Sequence, residues 1–143
     1  MSYYCLITND GMKKSGYEKF LKRIKSFYWP IYLRTENKKH IKENDNLIFY
    51  IAGKGELRQH FVGSAKIANL HKFYDYKNVL TSVDIDLGET KIFKKPVFLK
   101  EISEQLNFIK HKKNLGLNLQ GGCKLMSEDD YNLIINNSLN KKS

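Results

Sequence analysis

Residues 27–34 bring four aromatic side chains and a guanidinium together within a short stretch of the chain. The aromatic residues are Phe27, Tyr28, Trp29 and Tyr32, the basic residue is Arg34, and Trp29 is the only tryptophan in the sequence. Flat aromatic faces beside a guanidinium bind flat, electron-rich ligands such as nucleobases, through stacking and cation–π contacts. The stretch therefore indicates a base-stacking site, while a single ring taken alone would be assigned to the core.

Pro30 distinguishes between these two roles for Trp29. Proline lacks a backbone N–H, so it interrupts regular helix or strand pairing directly after Trp29. The indole is thereby predicted to lie at the boundary of an element, where binding sites are common. We expect Phe27 and Ile31 to be core residues and Trp29 to stack on a ligand, with Tyr32 beside it.

The spacing of the cysteines and histidines indicates neither a nucleophile nor a metal site. Gly121 and Gly122 precede Cys123 and could present amide groups as an oxyanion hole, but a nucleophilic cysteine also requires a neighbouring base. The histidines are scattered singly, without the spacing of metal ligands, at His40, His60, His71 and His111. We expect Cys5 and Cys123 to be free buried thiols, with no cofactor, no metal and no catalytic activity.

The charge of the chain is the strongest signal of its composition. Lys and Arg number 25 against 15 Asp and Glu, which gives a formal net charge of +10. Such an excess predicts a polyanionic partner, because cationic side chains that neutralise phosphates release counterions. A basic surface that serves only solubility is the alternative. The densest basic run contains Lys110, Lys112 and Lys113, which together with Arg34 are predicted to bind phosphate.

Length and composition favour one ordered domain. The 143 residues have 41% hydrophobic content and only 2 prolines, which suits a single domain over residues 1–143 with a frayed tail at 139–143. No apolar run is long enough to span a membrane, and residues 1–4 lack the features of a signal peptide. We therefore expect a cytoplasmic protein without a membrane partner.

Hydrophobic periodicity predicts a mixed α+β domain. Strands are predicted at residues 3–8, 47–52, 61–68, 79–88 and 115–119. Helices are predicted at residues 15–26, at 100–106 and after 127, with a loop at 71–76. Ser15 and Glu18 form a capping-box pattern at the first helix start. On that helix Lys19, Lys22 and Arg23 lie away from the apolar stripe, so this face is solvated or contacts phosphate.

Several short blocks, in order along nearly the whole chain, resemble the EVE-domain family. The blocks are residues 4–9, Trp29, 45–51, 62–65, 106–110 and 129–131. EVE domains belong to the PUA-like superfamily, together with YTH and ASCH domains. The resemblance implies a PUA-like, bent and mostly antiparallel β-barrel of five to six strands flanked by helices, which agrees with the predicted α+β class.

The resemblance also implies a function. EVE and YTH domains hold a modified base of DNA or RNA in an aromatic pocket, so the expected partner is nucleic acid carrying a modified base. Trp29 would stack on the base, and Thr8 and Asn9 would hydrogen-bond its polar edge. Further residues would line or close the pocket: Tyr32, Gly63, Ser64, Asn118 and Gln120. Truncation of Trp29 to alanine is then expected to abolish binding while leaving the fold intact.

Some points stay open at this stage. At Leu115, where relatives can carry an aromatic, the chain departs from the pattern, and Phe73 or Tyr76 would have to supply the missing wall. One alternative function is an ASCH-type hydrolase of acylated nucleosides, and another is a sensor of small molecules other than nucleic acid. A separately encoded nuclease or modification enzyme is a further candidate partner. The choice between DNA and RNA and the identity of the modification are not determined by the sequence.

Overall fold

The computed structural model describes residues 1–10, 14–32 and 35–139, without the side chain of Leu117. Within these residues, six strands form one sheet in the order β2-β5-β4-β3-β1-β6. The strands are β1 (Tyr3–Thr8), β2 (Tyr28–Ile31), β3 (Asn46–Ile51), β4 (His60–Tyr74), β5 (Leu80–Phe98) and β6 (Cys123–Met126). The helices are α1 (Gly16–Lys25), α2 (Leu99–Ile102) and α3 (Glu128–Leu139), with short 3-10 turns at Ser103–Gln105 and Leu115–Leu119.

The sheet is mixed because one of its strand pairs is parallel. β1 runs parallel to β3, with Tyr3 opposite Asn46 and Thr8 opposite Ile51. The β1–β6, β2–β5, β3–β4 and β4–β5 pairs are antiparallel. The α+β class and the number of strands predicted from the sequence are confirmed, with this parallel pair as an added feature.

The sheet is covered on both faces, which explains the continuous apolar run of β3. All six residues of β3 are buried, as expected for a central strand with both faces occupied. One face packs against α1 through Phe20 and Ile24. The other face packs against α2, α3 and the segment between them, through residues that include Leu99 and Ile134.

Two side chains fix the start of α1. Ser15 Oγ accepts a hydrogen bond from the Glu18 amide at 3.2 Å, which confirms the predicted N-cap. Asp10 Oδ1 accepts a second bond from the Gly16 amide at 3.0 Å. These bonds use amide groups that a helix start leaves without partners, so they set where α1 begins relative to the end of β1.

The ribbon of β4 and β5 is longer than the sequence predicted. Residues 71–74, predicted as a loop, continue β4, and β5 extends through Pro96 to Phe98. A proline is accommodated there because β2 pairs only with residues 83–86 of β5, so among the described residues no strand pairs with that side of β5 at Pro96.

Two other predictions are wrong, those for residues 115–119 and for Phe27. Residues 115–119 form a 3-10 turn instead of a strand. Of the predicted tail, Leu139 is the last residue of α3, and residues 140–143 lie outside the described residues. Phe27 is 57% exposed with a φ of 54°, so it is not a core residue, whereas Ile31 is buried as expected. None of the helices in the described ranges is long and apolar enough to cross a membrane.

Candidate nucleic-acid interface

Trp29 lies in the core beneath α1. Its side chain is 2% exposed, and its ring centroid lies 4.6 Å from that of Phe49 and 6.5 Å from that of Phe20. Alternation along β2 turns Trp29 and Ile31 inward, because both are paired with buried residues of β5. The expectation that Trp29→Ala leaves the fold intact is therefore revised, since removal of a buried indole leaves a large cavity.

The Arg23 guanidinium covers the outer side of this indole. Arg23 Cζ lies 4.9 Å from the Trp29 ring centroid, within cation–π range. Burial lowers the pKa of Arg23, while the neighbouring phenols of Tyr32 and Tyr28 act in the opposite direction. With Phe49 packed against the ring and Arg23 over it, a base can stack on Trp29 only after the guanidinium moves.

Thr8 ends β1 with its hydroxyl buried and unpaired. The residue is 2% exposed, and no group in the described part of the chain hydrogen-bonds its Oγ1. Strand alternation places Thr8 on the same face as Leu6, which is the face where Trp29 packs. Asn9 follows as an exposed residue, and its carbonyl oxygen accepts a hydrogen bond from Lys19 Nζ at 2.9 Å.

Gly63 has no side chain, which allows Phe20 and β5 to pack closely against the backbone of β4. A Cβ at Gly63 would lie 2.5 Å from the Lys91 carbonyl oxygen and 2.7 Å from Phe20 Cζ. The close approach that the resemblance assigned to a base is made here by Phe20 and by β5. Ser64 follows it in β4 and is buried at 4% exposure.

A basic cleft runs between α1 and the edge strand β2. It has a volume of about 430 Å³. Its lining consists of four cations, a hydroxyl and the outward-facing residues of β2 and its extension: Lys14, Lys19, Lys22, Arg23, Ser26, Tyr28, Pro30 and Tyr32. None of the described residues that line this cleft carries a carboxylate. We name this feature the α1–β2 cleft.

Two cations of the α1–β2 cleft, Lys19 and Arg23, repel each other. Burial and the neighbouring Arg23 charge lower the pKa of Lys19, and Asp10 opposes this shift. Asp10 is itself engaged by the amides of Gly16 and Lys54. A bound anion would relieve this repulsion, because an opposite charge stabilises each cation. The cleft is therefore a basic surface, with the Tyr28 and Tyr32 rings beside it.

The other predicted base contacts are spread over the molecule. Tyr32 lies in the α1–β2 cleft and is 61% exposed, while Phe73 lies near the end of β4 and is 49% exposed. Tyr76 is 90% exposed in the turn that follows β4. Gln120 is exposed directly after the 3-10 turn at Leu115–Leu119. Arg34 lies outside the described residues.

Asn118, which the resemblance places near the base, holds its own loop together. Its Oδ1 accepts hydrogen bonds from the amides of Lys110 and His111 at 2.7 and 2.8 Å. Its Nδ2 donates to the carbonyl oxygens of His111 and Leu115 at 3.0 and 3.1 Å. The amide group has thus used its hydrogen-bonding capacity within the loop, which leaves nothing for a ligand.

The predicted phosphate-binding run is on the other side of the sheet from Trp29. Ile109, directly before the run, packs in the core on the face opposite to that of Trp29. Lys112 Nζ donates to the carbonyl oxygens of Ser103 and Leu106, so this lysine fastens the loop. Lys110 and Lys113 are exposed. The structure therefore does not bring the run to the Trp29 site.

Burial governs the chemistry of the thiols. It raises the pKa of Cys123 to about 12 and that of Cys5 well above its usual value. Both thiols are buried and free, as predicted. In the described ranges, no group of three or more His, Cys, Asp or Glu side chains could hold a metal ion.

Sequence reasoning missed the α1–β2 cleft although one signal for it was present. The spacing of Lys19, Lys22 and Arg23 places them away from the apolar stripe of α1. Their position beside β2 could not be predicted from the sequence, because the pairing of β2 with β5 determines which strand edge faces the helix. Lys14 gave no signal, since it lies before the helix start.

Comparisons with known proteins place the fold. No family model and no curated protein sequence matches the chain. Human THYN1, solved in complex with DNA containing 5-methylcytosine, superposes with a TM-score of 0.66 at 13% identity, covering 99% of this chain and 100% of that one. The N-terminal domain of McrB from Staphylothermus marinus gives 0.65 at 11% identity, covering 94% of this chain and 93% of that one.

A third solved structure extends the match over the full chain. A structural-genomics protein from Agrobacterium tumefaciens gives a TM-score of 0.65 at 18% identity and covers 100% of this chain and 97% of that one. At these identities the similarity concerns the fold. The chain therefore has the fold of EVE and other PUA-like domains, as its sequence predicted.

Proposed function

We propose that this protein binds nucleic acid that carries a modified base, with the phosphates held in the α1–β2 cleft. The observation that carries the proposal is the lining of that cleft: its described residues include four cations and no carboxylate. The net charge of +10 supports a polyanionic ligand. The similarity in fold to THYN1, which was solved with 5-methylcytosine DNA, supports a base as the recognised group.

The base is proposed to take the place of the Arg23 guanidinium over Trp29. A guanidinium is flat and lies over the indole at 4.9 Å, so it occupies the position that a stacked base would need. Once the Arg23 guanidinium is displaced, its charge is available to a phosphate in the cleft. The unpaired Thr8 hydroxyl favours this site as well, because a buried hydroxyl without a partner gains a hydrogen bond from the polar edge of a ligand.

Two matched double variants test where the phosphates bind. Lys14→Ala/Lys22→Ala removes two exposed cations of the cleft, and Lys110→Ala/Lys113→Ala removes two exposed cations of the sequence-predicted run. Both variants lower the net charge equally, so a nonspecific effect of charge is the same in each. Affinity for a fluorescent oligonucleotide with 5-methylcytosine or N6-methyladenine is measured by anisotropy over a range of salt concentrations.

The cleft variant is expected to bind more weakly and with a shallower salt dependence. Each lost phosphate contact reduces the steepness of log K against log salt, by about 0.9 for duplex and about 0.7 for single strands. The cleft pair should therefore lower it by about 1.4–1.8, and the other pair by much less. The reverse result would assign the phosphates to the 110–113 run, and equal slopes in all three proteins would refute the cleft.

A further inference from the structure

The end of the β4–β5 ribbon presents large apolar side chains to solvent. Phe73, Tyr74, Tyr76 and Val79 are exposed by 49%, 57%, 90% and 47% of their surfaces. We name residues 72–79 the ribbon tip. A cluster of this kind, unlike scattered single side chains, marks an interaction surface.

The ribbon tip is held in one conformation by its own hydrogen bonds. Asp75 Oδ1 accepts bonds from the amides of Lys77 and Val79 at 2.7 and 3.0 Å. The Asp75 amide donates to the Val79 carbonyl oxygen, and the Asn78 amide donates to that of Asp75. The backbone that carries the rings is therefore ordered in the free protein, which reduces the entropy lost when a partner binds.

The charges around the tip favour nucleic acid. Lys72 and Lys77 are exposed on either side of the rings, and Lys77 Nζ lies 5.5 Å from the Tyr76 ring centroid. The carboxylate of the tip, Asp75, is engaged by the turn amides. Aromatic faces interleaved with cations bind unpaired bases by stacking and their phosphates by charge.

The tip adjoins the α1–β2 cleft but cannot reach the same base. Phe73 is paired with Ser82 of β5, and the neighbouring residue Val83 is paired on its other side with Ile31, the last residue of β2. Trp29 and Leu70 are both paired with Ile85, so these three residues lie in one row across the sheet. Leu70 is four residues along β4 from Tyr74. At about 3.3 Å per residue the tip begins about 13 Å from that row, which is about four base steps of 3.4 Å.

We infer that the ribbon tip is a second nucleic-acid contact, which stacks on unpaired bases a few nucleotides away from the base bound at Trp29. This inference rests on the proposed function, and it adds a preference for single-stranded or unpaired flanks beside the modified base. Tyr74 and Tyr76 provide the stacking faces, while Lys72 and Lys77 contact the phosphates between them.

The test compares Tyr74→Ala/Tyr76→Ala with the unaltered protein on three probes. These are the free modified nucleoside, a single-stranded oligonucleotide with the modification at its centre, and the same sequence fully paired. The variant should bind the single strand at least about fivefold more weakly for each ring lost, which is the lower end of base–aromatic stacking. Its affinity for the nucleoside should be unchanged, because the nucleoside cannot span to the tip.

A second variant gives a direct signal at the tip. In Tyr76→Trp the new indole is exposed and emits to the red of the buried Trp29, and the single strand should quench it on binding. Unchanged single-strand affinity in the alanine variant, or an unquenched indole at saturation, would overturn the inference and leave the tip to a protein partner. If the nucleoside still binds in that case, the proposed function survives; if the unaltered protein binds none of the probes, the proposed function itself fails.

Discussion

Replacement of Arg23 by alanine should strengthen the binding of a free modified nucleoside. In the structure the guanidinium lies 4.9 Å from the centre of the Trp29 ring, so a base that stacks on the indole must first displace it. A cation–π contact is worth about 0.5–2 kcal/mol, depending on how far it is desolvated. Without that competitor, the nucleoside should bind about 2- to 30-fold more tightly.

The nucleoside is the appropriate ligand because it lacks a phosphate. An oligonucleotide would lose an Arg23 phosphate contact at the same time, and the two effects would oppose each other. Since Trp29 is the only tryptophan, its intrinsic fluorescence reports stacking directly. Titration of the modified nucleoside into the unaltered protein and into Arg23→Ala gives both affinities from the quenching of one indole.

Lys22→Ala is the matched control for Arg23→Ala. Lys22 is the adjacent cation on α1, lines the same cleft and is exposed, so its removal should leave nucleoside affinity unchanged. Weaker nucleoside binding in Arg23→Ala would mean that the guanidinium contacts the ligand directly. Equal affinity in both variants and in the unaltered protein would mean that the base does not stack on Trp29.

Three further substitutions test the assignments of individual residues. Trp29→Ala should lower the free energy of unfolding by about 3–5 kcal/mol, because it empties a buried ring position; urea denaturation followed by circular dichroism measures this, and a loss below about 1 kcal/mol would contradict the core position. Gly63→Ala should also destabilise, because its Cβ would lie 2.5 Å from the Lys91 carbonyl oxygen, and the same denaturation assay is expected to show a lower midpoint at unchanged slope. Asn118→Ala should speed hydrogen exchange at the Lys110 and His111 amides, which lose their acceptor. Its oligonucleotide affinity should stay within twofold of that of the unaltered protein, which is roughly 0.4 kcal/mol. A large loss of affinity would instead indicate that Asn118 contacts the ligand. Finally, the pKa of Cys123 at about 12 predicts that the thiols react with a disulfide reagent at pH 8 only after unfolding in urea, because the thiolate is the reactive form; fast reaction of the folded protein would contradict their burial.

The sequence determined the fold class and most of the elements. A β-strand or an amphipathic helix is encoded by local periodicity, so β1, β3 and α1 could be identified from apolar spacing and from the Ser15 cap. The order of the short sequence blocks was enough to indicate a PUA-like domain. The alternating apolar residues of 115–119 match a strand, but the segment forms a 3-10 turn in which Asn118 Nδ2 donates to the carbonyl oxygens of His111 and Leu115.

The tertiary structure decided the composition of the candidate site. Exposure depends on which neighbours a side chain meets, and these neighbours come from distant parts of the chain: Phe49 packs on Trp29, and Phe20 fills the space beside Gly63. The sequence favoured the 110–113 run because it is the denser of the two basic segments, but α1 carries its cations to the edge of β2, whereas the 110–113 run lies on the opposite side of the sheet. Residue types and spacing thus indicated a basic, aromatic, base-binding protein, and the pairing of β2 with β5 selected the residues proposed to form the site.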